Sequence, residues 1–131
     1  MRINTLNDFI KGNLTKEEFS KELSKEIFDF EKSKNTLGST LIIVGDFNDV
    51  FDFNDDMVKQ LLKKYISSGI KAIELEYILN YIELSCFKIS NKTEEIITSL
   101  SIPEINYSIN IENVKKCIDF LNEDTKILIL N

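Results

Sequence analysis

Five aspartates, Asp46, Asp49, Asp52, Asp55 and Asp56, fall within eleven positions and are broken by Phe47, Phe51 and Phe53. They are the densest run of carboxylates in the chain. Carboxylates so spaced suit a hard cation, the start of a helix, or the Lys and Arg side chains of a partner. The calcium reading can be tested directly. Asp52, Asn54 and Asp56 match the first three ligand positions of a calcium loop, but the glycine position is occupied by Met57 and the bidentate glutamate position by Lys63. The loop fails on both counts, and no metal is expected. Other chemistry is thinner still. Histidine is absent, which removes the commonest general base and zinc ligand. The two cysteines, Cys86 and Cys117, lie among apolar residues in no CxxC spacing and read as buried thiols. The four glycines are too scattered to cradle a phosphate. The expectation is a protein without catalytic residues and without a cofactor.

Two readings of the acidic stretch remain. In the first it is a solvated helix face whose Asn54 or Asp55 caps the helix that follows. In the second it is a binding epitope, with carboxylates set among aromatic anchors and facing a Lys/Arg-rich groove. A second acidic and aromatic group, Glu74, Glu76, Tyr77 and Tyr81, sits on a predicted helix further on. Glu74, Glu76 and Glu83 are expected on or near its outer side, and the tyrosine pair at i, i+4 is expected in the core or at an interface rim.

The elements that must carry these residues are mostly helical. Thr15-Lys16-Glu17-Glu18 is a capping box, and Phe19, Leu23, Ile27 and Phe30 then make one apolar stripe to about Lys32. A shorter helix before it turns Ile3, Leu6, Phe9 and Ile10 inward and stops at Gly12-Asn13. From Thr40 to Phe53 the pattern leans towards a helix with Leu41, Val44, Phe47 and Phe51 inward, the alternative being a small β-hairpin turning at Gly45-Asp46. A helix with Met57, Leu61, Leu62 and Tyr65 inward ends at Ser68-Gly69. Ile70 to Leu84 gives another. Thr93 to Leu100 is the next, capped by Thr93 or Asn91 and ended by Pro103. A last helix, capped by Ser108 or Asn110, holds Val114, Cys117, Ile118 and Leu121. The apolar tail, 126–131, either joins the core or pairs as a short strand. The expectation is one domain over 1–131, a compact all-α bundle of five to seven helices.

Composition sets the limits on partners. At 131 residues and 43% hydrophobic, the chain can bury one core without disulfides. Its net charge of −6 and single Arg, Arg2, argue against a nucleic-acid ligand and favour a basic protein. The polar N-terminus has no signal-peptide apolar region, and the longest apolar run, Leu41 to Val44, is far below membrane-spanning length. A cytoplasmic protein is expected.

Several stretches carry a resemblance: the acidic cap at 54–56, the turn Ser68-Gly69-Ile70, ELEYILNYIELS at 74–85, EEIITSL at 94–100, PEIN at 103–106 and the capped helix after it. Together they resemble the small acidic immunity proteins of bacterial polymorphic toxin systems, including contact-dependent growth inhibition. GNLTKEEF at 12–19 is similar to the opening helices of colicin-type immunity proteins. The resemblance implies a protein that stays in the cytoplasm of a toxin producer and neutralises a toxin delivered by a sibling cell. Such toxins are commonly basic nucleases, and their immunity proteins plug the active site or sit beside it. The competing reading is an acidic helical adaptor with no toxin partner. On either reading the candidate contact residues are Asp46, Asp49, Asp52, Asp55, Asp56, Glu74, Glu76, Tyr77 and Tyr81.

Overall fold

The computed structural model describes every residue except 37, 39, 46–49, 86 and 123–126. Among the described residues there are six helices and no strand: α1 (Ile3–Ile10), α2 (Lys16–Lys34), α3 (Asp55–Ser68), α4 (Ala72–Leu84), α5 (Asn91–Leu100) and α6 (Ile111–Asn122). The all-α bundle is as expected.

Local chemistry explains most of the boundaries. Thr15 Oγ1 accepts from the Glu18 amide at 3.1 Å while Glu18 Oε1 accepts from the Thr15 amide at 3.0 Å, closing the capping box of α2. Asn54 Oδ1 accepts from the Met57 amide at 2.9 Å and starts α3. Gly69, in the left-handed region at φ 76°, ends that helix, where a side chain would be strained. Asn110 Oδ1 accepts from the Asn113 amide at 2.8 Å and starts α6. At α5 the cap is Ser90, whose hydroxyl accepts from the Thr93 amide, and neither Thr93 nor Asn91 fills that place. Thr93 is instead fully buried.

The helices form a closed circuit in which α1 touches α2, α2 touches α4, α4 touches α5, α5 touches α6, α6 touches α3, and α3 returns to α1. Phe9 of α1 stacks on Phe19 of α2 with ring centroids 4.0 Å apart. The helix α4 is buried from Glu74 through Ile82 without a break. A helix apolar on nearly all sides can only be an interior helix, because each face needs a cover. On one side that cover is the segment before α3.

The described part of 40–53 forms neither the expected helix nor a hairpin. It is irregular chain whose Val44 and Gly45 lie against α4. The Val44 amide donates to the Tyr77 hydroxyl at 3.0 Å, and that hydroxyl donates to Glu26 Oε1 at 2.9 Å. A Cβ at Gly45 would lie 2.1 Å from the Tyr81 ring, so only glycine allows this approach. Two β-branched isoleucines, a valine and a glycine have little intrinsic drive towards helix, and the tyrosine supplies the hydrogen bond a helix would have offered. Phe47 and the Asp46 side of the hairpin alternative lie outside the described residues.

The tail keeps its apolar alternation without pairing as a strand: Leu130 is buried, while Ile127 and Ile129 are exposed. Buried Asn113 holds it, donating to the Asn131 carbonyl at 2.9 Å and accepting from the Asn131 amide at 3.1 Å. No helix among the described residues is long and apolar enough to cross a membrane.

Candidate functional site

The acidic stretch is positioned by an isolated parallel bridge. The Phe53 amide donates to the Lys88 carbonyl at 3.0 Å, and the Lys88 amide donates to the Phe51 carbonyl at 2.8 Å. Extended backbone sends successive side chains to opposite sides. Phe53 points in and is fully buried, its ring 6.2 Å from that of Phe87, while Asp52 between the two phenylalanines points to solvent. The rings of Phe51 and Tyr81 also pack on Phe87, at 5.6 and 5.7 Å, so an aromatic cluster anchors the bridge from inside.

Immediately after the bridge the chain enters α3, and its first two residues have different fates. Asp55 turns towards α5, where its Oδ1 accepts from the Thr93 hydroxyl at 3.0 Å and from the Ser90 hydroxyl. It joins the starts of two helices. Asp56 is exposed and, like Asp52, its carboxylate has no hydrogen bond or ion pair among the described residues. A cleft of about 550 Å³ opens here, walled by Asp52, Asp55 and Asp56 on one side and by Lys88 and Ser90 on the other. Asp46 and Asp49 lie outside the described residues.

The second acidic group is not on the surface. Glu74 and Glu76, expected outward on α4, are each only 4% exposed. Glu74 Oε2 accepts from the Ser20 hydroxyl at 2.7 Å and Oε1 from the Lys71 amide at 2.8 Å, tying the start of α4 to α2. Glu76 Oε1 takes the Lys34 ammonium at 2.8 Å, and the same ammonium also pairs with Glu104. Burial pushes the Glu76 carboxyl above the ordinary value, against the pull of Lys34. The Lys34 hydrogen bond holds Glu104 below its ordinary value. Burial works against the Lys34 charge, but the two carboxylates outweigh it and the ammonium titrates above its ordinary value. Tyr77 and Tyr81 are fully buried, in the core and away from any rim. Burial also raises the Tyr77 hydroxyl. Glu76, Tyr77 and Tyr81 are thus buried, and Glu74, though buried as well, lines a surface pocket with Ser20 and Lys71.

The sequence held a signal for this. Residues two apart on a helix lie about 200° apart, so Glu74 and Glu76 cannot share one outer face. With Leu75, Tyr77, Ile78 and Leu79 between and after them, the helix reads as apolar all round. Lys34 and Glu104, by contrast, had no signal, because they meet Glu76 only through the fold.

Burial pushes the Cys117 thiol up to about 12, so it is not a thiolate at neutral pH. Cys86 lies outside the described residues. Among the described residues no group of three or more Cys, Asp or Glu is placed to hold a metal ion.

The chain matches no protein-family model, no curated protein and no solved structure.

Proposed function

We propose that the chain is an immunity-type inhibitor that acts in the cytoplasm, binding a basic toxin domain, a nuclease in the leading case, and covering its active site or substrate groove. The observation that carries this reading is the contrast at 52–56. Asp52 and Asp56 are exposed carboxylates with no partner among the described residues, held by a hydrogen-bonded bridge packed on aromatic rings and by a capped helix start. A carboxylate fixed on firm backbone loses little freedom when a cation docks on it, which favours affinity. The net charge of −6 would draw a basic partner by long-range attraction. The absence of histidine and the inert state of Cys117 fit a protein that acts by occupation.

The test is co-expression with the polypeptide encoded immediately upstream, followed by co-purification. Survival of cells that carry both, and death of cells that carry the upstream polypeptide alone, is the expected result. Equal death with and without this chain ends the proposal. If the upstream polypeptide is harmless, the acidic adaptor reading takes its place. The epitope has its own test in association kinetics. Reversal of Asp52 and Asp56 to Lys lowers the association rate about tenfold or more at low salt and flattens its salt dependence. Unchanged kinetics would move the contact to 46–49 or elsewhere.

A further inference from the structure

Beside Asp56, on the side away from the cleft at Lys88, a groove of about 490 Å³ runs between α1 and α3. Its apolar walls are Ile10, Phe51 and Met57, with the amides of Asn7 and Gln60 beside them and the charges of Lys11 and Asp56 at the opening. Phe51 and Met57 are only half-buried, so the chain leaves this apolar surface partly uncovered. The Asn7 amide oxygen is shut off from solvent and has no donor among the described residues. An acceptor left so is costly, and turning that amide towards a donor in the groove recovers a bond the free chain lacks.

We infer that the groove receives an arginine side chain of the protein partner. The inference rests on the basic-partner reading above and names how that partner is gripped. An apolar side chain would fill the walls but leave the buried Asn7 oxygen without a donor and the exposed Asp56 charge unused. An ammonium offers a compact, strongly hydrated charge. A guanidinium brings a planar fork of donors, tolerates desolvation better, and stacks on an aromatic face such as Phe51, while its aliphatic stem lies along Met57 and Ile10. Lys11 at the rim opposes a cation, and the fork must therefore sit on the Asp56 side.

The test needs no toxin. N-acetyl-arginine methylamide is titrated into the full chain carrying labelled Ile and Met methyls and labelled side-chain amides, with the lysine and norleucine analogues as controls. The arginine probe is expected to move the Ile10 and Met57 methyls and the Asn7 amide along one saturating curve, and the lysine probe to bind at least about threefold more weakly. Asp56→Asn, at an exposed position that leaves the fold intact, weakens the arginine probe about fivefold or more. Norleucine binding as well as arginine, or shifts scattered over the acidic surface without saturation, overturns the inference. Failure of the co-expression test alongside a positive titration removes the toxin and leaves the arginine groove. Protection alongside a negative titration removes the groove and leaves the toxin.

Discussion

Two groups of carboxylates, one at the start of α3 and one on α4, look alike in the chain and do opposite work in the fold. Asp52 and Asp56 face water with no partner among the described residues, whereas Glu74 and Glu76 are buried and bound to Ser20, Lys71 and Lys34. An acid on the surface is free to meet a partner. An acid in the interior must already have its partner, because an unpaired buried charge costs several kcal/mol. Asp55 stands between these cases, half-buried and shared by two hydroxyls of α5. The lesson is that acidity near an aromatic residue does not by itself leave a carboxylate exposed; the fold decides which carboxylates are used internally and which face water.

The sharpest way to break this comparison is Glu76→Ala. It strips Lys34 of its buried partner while Glu104 still holds the ammonium from the surface side, and the expected loss is about 2–3 kcal/mol in urea unfolding. A loss under about 0.5 kcal/mol would mean that Glu76 is no strut. Asp55→Ala should cost about 1–2 kcal/mol, since it leaves the Thr93 hydroxyl buried without its acceptor. The third comparison is one of pH. The Glu76 carboxyl is raised, so the folded chain holds that proton more tightly than the unfolded one. Its contribution to stability therefore falls as pH rises from about 4.5 through its raised value. Glu104 is depressed, and its contribution is present above about 4.5 and lost as pH falls through its lowered value. Urea midpoints followed across that range should lose their decline above 4.5 in Glu76→Gln and keep their acid-side loss. A decline that persists in the variant would assign it to another group. The smallest effect is expected where function is proposed: Asp52→Asn and Asp56→Asn should each change stability by no more than about 0.5 kcal/mol. A larger loss in either would place that residue with the struts.

Much of the local grammar of the chain is legible in its sequence, the cap of α5 at Ser90 and the stretch at 40–53 being exceptions. The box at Thr15 and Glu18, the cap at Asn54, the stop at Gly69 and the cap at Asn110 rest on hydrogen bonds spanning three or four residues, which a sequence carries whole. The described part of 40–53 departs from the helix its periodicity predicts, because its contacts include Tyr77, Tyr81 and Lys88, more than thirty residues away. Within the acidic run, composition drew attention to five aspartates but could not rank them. The ranking came from the bridge to Lys88, which turns Asp52 outward, and from α5, which takes up Asp55.

By itself the sequence determined that this chain is helical, acidic, without histidine, and cut into its helices at nearly the observed places, because capping and periodicity act between near neighbours. Only the tertiary structure decided which carboxylates are consumed and which are offered. That depends on contacts such as Lys34 to Glu76 and Asp55 to Thr93, whose partners are separated by 42 and 38 positions and brought together by core burial alone.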